Sequence, residues 1–164
     1  MPDGPDTAPR AGAFPRSRRL KRRRLIRPLF GRGTSERLGA GTVVVLYRAV
    51  PREATGRDVG LQVGFAPGRR STNAARTRVR RLLRETFRLH QGPLLDLMGG
   101  RPDCLTMMVL YRGREETASA DVRRDLPRAL DRLARRVAEL TAEPPAPDAP
   151  PPGAPAEPSD GTAP

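Results

Sequence analysis

Apolar residues follow the spacing of β-strands in three segments of the chain. Residues 42–50 are β-branched and apolar, which is typical of a strand. Residues 58–65 alternate between apolar and other side chains, so one face of a second strand would be apolar. Residues 104–111 are apolar almost throughout, which predicts a central strand with both faces covered.

Three other segments have the three- and four-residue spacing of amphipathic helices. Residues 17–30 predict a short helix with Ser17 as its N-cap, although Pro28 would kink its last turn. Residues 72–90 form the clearest helical pattern, and Gly92-Pro93 would stop that helix. A last helix would begin near Ser119. Pro127 would either kink this helix or mark its true start.

These six elements predict an α+β fold in the order α-β-β-α-β-α, with a mixed sheet packed by helices. We expect one small domain over residues 14–141. Residues 1–13 and 142–164 are rich in Pro, Ala and Gly and offer almost no side chains to bury. Both are therefore predicted to be disordered tails, the second one acidic.

The charge is concentrated in the predicted domain. The chain has 31 basic and 18 acidic residues, a formal net charge of +13, and Lys21 is its only lysine. Six of the acids lie in residues 1–9 and 141–164, so residues 10–140 carry a net charge of +19. Positive charges at this density repel one another, so we expect an anionic partner. Nucleic acid is favoured over a membrane surface, because no basic stretch has the aromatic-rich face of an interfacial helix.

What the sequence lacks excludes several classes of protein. No apolar run approaches the roughly 18 residues of a membrane span, and no signal-peptide core follows the N-terminus, so we expect a cytoplasmic protein. Cys104 and His90 are the only residues of their types, which excludes a disulfide framework and a Cys/His zinc site. The sequence has no P-loop. Glu85 is expected to form an ion pair and Asp103 to lie in a turn. The polypeptide alone is therefore not expected to be a catalyst.

An arginine stripe marks the predicted helix over residues 72–90. Such a stripe is often only a solvated face, but like charges at four-residue spacing destabilise a helix, and Glu85 is the only acid nearby. Phosphates lying against the stripe would explain it better. A Gly-Arg-Arg segment precedes the helix, whose first amides favour anions. The residues predicted to contact phosphates are Arg69, Arg70, Arg76, Arg78, Arg80, Arg81 and Arg84.

Residues 76–85, RTRVRRLLRE, closely resemble the signature helix of the protein subunit of bacterial ribonuclease P, R-N-R-[IV]-K-R-L-[IL]-R-E. The chain departs from that signature at Thr77, where the family has Asn, and at Arg80, where it has Lys. Shorter stretches in the family's order extend the resemblance over about residues 14–140, among them Arg19-Leu20-Lys21.

The resemblance implies a ribonucleoprotein that removes the 5′ leader of precursor tRNA, with a catalytic RNA subunit and Mg²⁺ bound mainly by that RNA. The protein would bind the RNA subunit through the signature helix and the loop before it. The RNA-subunit-binding residues that this implies are Arg69, Arg70, Arg76, Thr77, Arg78, Arg80, Arg81 and Arg84. It would hold the single-stranded leader in a cleft between the sheet and the first helix. Ile26, Phe30 and Tyr47 are the predicted cleft residues, Ile26 standing where the family often has an aromatic residue. Neither a membrane nor DNA is expected as a partner.

Two other classes compete with this interpretation. A ribosomal or other structural RNA-binding protein would share a small α+β fold and a basic surface. A DNA-binding regulator is disfavoured, because a helix that recognises bases in the major groove needs Asn, Gln, Ser or Thr among its basic residues, and this stripe is almost all Arg.

Overall fold

The computed structural model describes residues 14–68 and 72–142. Its strands are β1 (Glu36–Ala40), β2 (Val43–Pro51), β3 (Leu61–Ala66) and β4 (Asp103–Tyr111). Its α-helices are α1 (Arg23–Ile26), α2 (Arg52–Thr55), α3 (Asn73–His90), α4 (Gly92–Gly99) and α5 (Ala118–Ala142). Three 3₁₀ segments cover Arg16–Arg18, Arg27–Phe30 and Glu115–Thr117. The predicted tails lie outside the described residues, apart from the end of α5.

The four strands form one mixed sheet in the order β1-β2-β4-β3. The pairs β1–β2 and β2–β4 are antiparallel, whereas β3 and β4 run parallel and are connected through α3 and α4. The predicted α+β class is therefore confirmed, and so is the central position of β4. Its side chains are buried on both faces, because the long helices cover one side of this strand and the N-terminal segment covers the other.

The three longer helices cover one face of the sheet and enclose the main core. Val43, Val45 and Tyr47 of β2 point into this core, as the two-residue period of a strand requires. Helix α3 contributes Val79, Leu83 and Phe87. Helix α5 contributes Val122, Leu126, Leu130 and Leu133 from its apolar stripe.

The opposite face of the sheet, called here the outer face, carries a second and smaller core. Leu20, Leu25 and Leu29 of the N-terminal segment pack there against Cys104 and Met108 of β4. Because α1 has only four residues, it covers only part of this face. Within residues 14–68 and 72–142, the rest of the outer face is left open beside the short helix.

The N-terminal segment differs from the predicted helix over residues 17–30. Only Arg23–Ile26 is α-helical, and Ser17 lies within the 3₁₀ segment instead of capping a helix. The preceding residues are held at the sheet edge: Arg19 forms a parallel bridge with Val63, and the Leu20 amide donates to the Val63 carbonyl at 3.0 Å. Sheet pairing here overrides the helical pattern of the sequence.

Three of these strands and helices were not predicted: β1, the four-residue α2, and α4. Strand β1 is a short edge strand, ERLGA, with little β-branched character, and Gly41 at φ +56° makes the turn that pairs it with β2. Gly92-Pro93 does follow the end of α3, but Pro93 also begins α4, since proline is well suited to the first turn of a helix.

The start of α5 also differs from the prediction. The helix begins at Ala118, so Ser119 lies in its first turn and is not the cap. Pro127 lies inside the helix and does not mark its start.

Candidate nucleic-acid interface

Helix α3 has a buried face and an arginine face, as its sequence predicts. The Thr72 hydroxyl accepts a hydrogen bond from the Ala75 amide at 3.3 Å and caps the first turn. Ala75, Val79, Leu83, Thr86 and Phe87 are buried. The predicted RNA-binding side chains lie away from this face: Arg76, Thr77, Arg78 and Arg81 are exposed, and Arg80 and Arg84 are partly exposed. Arg69 and Arg70 lie outside the described residues.

The arginine face lacks compensating acids. Arg88 pairs with Glu85, at 2.6 Å between Nη2 and Oε1. Within the described part of the chain, Arg76, Arg78, Arg80, Arg81 and Arg84 make no ion pair.

Burial lowers the pKa of the Arg84 guanidinium, and the neighbouring charges of Arg19, Arg80 and Arg81 lower it further. A row of charges that repel one another in the free protein is stabilised when a polyanion lies against it.

Phe30 and Ile26 flank the open part of the outer face. Phe30 is 55% exposed, although its neighbour Leu29 is only 1% exposed and anchors the segment in the small core. Ile26 is partly buried and packs against the smaller core, and so does Leu46 of β2. An exposed aromatic ring held by a buried neighbour is available for stacking, as the predicted cleft requires.

The prediction that Tyr47 lines this cleft is wrong. Tyr47 is 4% exposed and lies in the main core, on the face of the sheet that the long helices cover. Burial raises the pKa of its hydroxyl group, the Glu36 carboxylate raises it further, and a hydrogen bond to Arg136 of α5 opposes both. Successive strand residues point to opposite faces, so Leu46 and Arg48, not Tyr47, share the outer face with Phe30.

Three residues on the outer face were not among the predicted cleft residues: Arg37, Leu46 and Arg48. Arg37 lies directly across from Leu46 in the β1–β2 pair, so both side chains point to the outer face. Arg37 and Arg48 are exposed, and Leu46 is partly buried. The alternation within 42–50 contained the signal for Leu46 and Arg48, but Arg37 could be placed only once β1 had been found.

A groove of about 740 Å³ lies at one end of the sheet. Phe30 and Val79 of α3 are among the residues that line it. The loops after the parallel strands β3 and β4 complete it, with Pro67 and Gly68 on one side and residues 112–116 on the other. At this end of the sheet the groove lies between Phe30 and α3, and its lining includes Glu115 and Glu116 as well as Arg112 and Arg114.

The candidate catalytic side chains have structural contacts. His90 Nδ1 lies 2.9 Å from the Thr86 carbonyl oxygen at the end of α3, and Glu85 is paired with Arg88. Cys104 is fully buried, and burial raises the pKa of its thiol to about 11. Asp103 begins β4, where its carbonyl oxygen faces Arg52 Nε at 3.5 Å.

Two further features bear on the kind of protein this is. Across residues 14–68 and 72–142, no three His, Cys, Asp or Glu side chains come together as a metal site requires. In the same residues, no helix is long and apolar enough to cross a membrane.

Fold and surface together define a small α+β protein with an arginine-rich face on its helix α3. Comparison with family models matches residues 14–134 to the ribonuclease P family. The chain therefore belongs to the ribonuclease P family.

Two solved structures have a fold similar to that of this chain. The ribonuclease P protein of Staphylococcus aureus in a 2.0 Å structure is 13% identical, with a TM-score of 0.51 over 71% of this chain and 94% of that one. A second structure of the protein from that organism has a TM-score of 0.50 and the same identity, over 75% of this chain and 93% of that one. Comparison with curated proteins gives no significant match.

Proposed function

We propose that this chain is the RNA-binding subunit of a ribonuclease P holoenzyme, which removes the 5′ leader of precursor tRNA. The observation that carries the proposal is the uncompensated arginine face of α3, which lies on the helix that resembles the family's signature. In this proposal the RNA subunit performs the hydrolysis and the protein binds RNA. The complex works in the cytoplasm, without a membrane or DNA as partner.

Helix α3 supplies the contacts to the RNA subunit. Arginine forks pair bidentately with phosphate oxygens, and each phosphate contact releases condensed counterions. Arg76 and Arg80 lie one turn apart on the helix, a spacing that lets one strand of RNA backbone contact both. Thr77 replaces the Asn of the family signature and can still donate one hydrogen bond from its hydroxyl group.

The outer-face cleft supplies the contacts to the leader. A single strand without a fixed sequence is bound by a basic groove together with an aromatic surface, because every base has a π-face. Phe30 supplies the aromatic ring and Ile26 an apolar contact. Arg37 and Arg48 supply the positive charge on the same face of the sheet.

Magnesium belongs to the RNA in this proposal. Mg²⁺ binds through oxygen ligands and keeps several waters, and it is readily shared with phosphates. The described residues offer no cluster of acidic side chains for it, so we assign no step to protein-bound metal.

Reconstitution tests the proposed function. The RNA-free protein should not cleave precursor tRNA, and adding it to the cognate RNA subunit at low Mg²⁺ should raise the rate of 5′ leader removal. Site-specific, metal-dependent cleavage by the RNA-free protein would contradict the proposal. Co-purification with ribosomal subunits, instead of one RNA of a few hundred nucleotides, would favour the structural RNA-binding alternative.

A pair of substitutions tests the role assigned to α3. Arg76→Ala with Arg80→Ala should weaken assembly with the RNA subunit and lower the slope of log affinity against log salt by about 0.9 for each lost contact. Arg128→Ala with Arg135→Ala makes the same charge change at exposed positions of α5 and is the matched control. Equal losses in the two double variants would show that only net charge matters.

A further inference from the structure

A small pocket lies beside the last turns of α5, and its volume is about 250 Å³. Leu105, near the start of β4, lines this pocket, whereas Leu110 and Tyr111 at the end of the same strand line the groove described above. Val137 and Leu140 line the pocket from α5. This cavity, called here the α5 pocket, is therefore distinct from the groove.

The sheet extends past the helical layer at the α5 pocket. Tyr47 and Ala49 of β2 share one face of the sheet, because strand residues two positions apart point the same way. Tyr47 is buried, whereas Ala49, which pairs with Leu105 of β4, is exposed. Leu140, in the last turn of α5, is 52% exposed. Within residues 14–68 and 72–142, the floor of the pocket and the end of the helix thus both present uncovered apolar surface.

The charge at the α5 pocket is positive on balance. Among the described lining residues, Arg48 and Arg101 are basic and Glu36 is acidic. Arg101 lies in the loop between α4 and β4. An apolar floor with basic residues around it fits a segment that combines small apolar side chains with carboxylates.

The residues that follow α5 match this pocket in position and composition. The described chain ends at Ala142, two residues after Leu140. Residues 143–148 read EPPAPD, three prolines and an alanine between two acids. Proline-rich segments favour the extended polyproline II conformation, in which six residues span about 19 Å and lose little freedom on docking. Attachment beside the pocket gives such a segment an effective concentration there on the order of millimolar.

We propose that residues 143–148 fold back over the α5 pocket, with their prolines on the apolar floor and their carboxylates toward Arg48 and Arg101. A second copy of the chain fits this pocket less well, because two domains that each carry a net charge of +19 over residues 10–140 repel each other. RNA also fits less well, since Tyr47, the aromatic residue among the described lining residues, is only 4% exposed and offers no face for stacking. The proposal needs no RNA and so does not rest on the proposed function.

Disulfide trapping in the RNA-free full-length chain tests the docking. With oxidised glutathione as the oxidant, Ala49→Cys with Ala146→Cys should form an intramolecular disulfide about tenfold faster than Arg135→Cys with Ala146→Cys. Arg135 is exposed on α5, about 10 Å along the helix from Ala142, a distance that four extended residues can span. A segment that does not dock would favour this control pair, which is closer along the chain. Cys104 does not interfere, since it is fully buried and burial raises the pKa of its thiol to about 11.

Substitutions added to the Ala49→Cys, Ala146→Cys chain test the apolar contact. Leu140→Asp places a charge against the apolar floor and should slow trapping to the rate of the control pair. Leu89→Asp, at a 64% exposed position of α3, is the matched control and should leave the rate unchanged. Both leucines are more than half exposed, so both variants should fold, and melting followed by circular dichroism checks this.

The carboxylates of the segment are tested in the same chain. Glu143→Gln with Asp148→Asn removes the two charges that face the arginines, so trapping should slow several-fold. Glu157→Gln with Asp160→Asn makes the same change of net charge farther along the chain and should leave the rate unchanged.

Three results would overturn the proposal. The first is a disulfide that forms as fast in the Arg135→Cys pair as in the Ala49→Cys pair. The second is an equal slowing by the two carboxylate variants, which would show that only net charge acts. The third is disulfide-linked dimers of Ala49→Cys alone, in place of the intramolecular bond, which would place a second copy of the chain on this face.

Discussion

At the scale of single residues, neighbouring side chains in this protein have opposite roles. Leu29 is buried and Phe30 is exposed, while Tyr47 points into the main core and its neighbours point to the outer face. An aromatic residue on a predicted cleft element therefore has a structural or a binding role according to the direction of its side chain.

Phe30→Ala should weaken binding of leader-bearing precursor by about 1–3 kcal/mol for each lost stacked base. Binding of mature tRNA should be unchanged, because it has no leader to stack. The melting temperature should change little, since the ring is mostly exposed. Affinities of the holoenzyme for the two RNAs measure the effect. An equal loss of affinity for both RNAs would contradict the assignment of Phe30 to the leader-binding cleft.

Tyr47→Ala should behave in the opposite way. Truncating a buried aromatic side chain leaves a cavity and costs about 3–5 kcal/mol of stability. Denaturant unfolding measures this loss. The ratio of precursor to mature tRNA affinity should stay at the parent value under conditions where the variant is folded. A changed ratio would place Tyr47 in the leader site after all.

At the scale of elements, two carboxylates fasten α5 to the sheet. Asp125 accepts from the Thr42 amide at 2.9 Å and from Arg124 Nε at 2.7 Å. Asp121 accepts from the hydroxyl groups of Thr117 and Tyr111, at 2.7 and 2.9 Å. These contacts join α5 to the β1–β2 turn and to the end of β4.

The hydrogen bond from Arg124 holds the pKa of Asp125 below its ordinary value, and the hydroxyl group of Thr117 does the same for the pKa of Asp121. A carboxylate whose folded pKa is depressed stabilises the fold above its unfolded pKa, about 4, and loses that contribution as pH falls. We expect the melting temperature to drop as pH is lowered below about 4.

Asp125→Asn should flatten this acid dependence and cost about 1–3 kcal/mol at neutral pH, because the buried carboxylate that accepts from Thr42 and pairs with the half-exposed Arg124 is lost. Asp131→Asn, at an exposed position of the same helix, is the control and should leave the profile unchanged. Melting curves between pH 2 and 7 at constant ionic strength check both. Parallel profiles for parent and Asp125→Asn would contradict the role of this carboxylate.

At the scale of the whole molecule, the charge of the described domain and that of the C-terminal residues have opposite signs. Residues 143–164 carry four acids and no base. Removing them raises the formal net charge from +13 to +17 and removes no residue of the apolar stripe of α5.

Truncation after Ala142 should therefore leave affinity for the RNA subunit equal or slightly raised. Filter binding at several salt concentrations measures it. A full-length variant with the four acids changed to Asn or Gln separates charge from length and should match the truncated chain. A loss of more than about tenfold, or 1.4 kcal/mol, would show that these residues belong to the binding site.

The sequence by itself determined the elements with a strong pattern. Strands β2, β3 and β4 and helices α3 and α5 follow from periodicity, because residues that share a face recur at the period of the element. The arginine face of α3 follows in the same way, since a helix fixes the direction of each side chain relative to its buried stripe. The decamer over residues 76–85 indicated the family.

Only the tertiary structure decided which face of the sheet each strand residue meets. Alternation separates Tyr47 from Leu46 and Arg48, but it does not say which set the long helices cover. Strand β1 and the extended path at Arg19 depend on hydrogen bonds to partners distant in sequence, which override weak local preferences. The packing of Phe14 against Phe87 is likewise a contact between distant segments, which no local pattern contains.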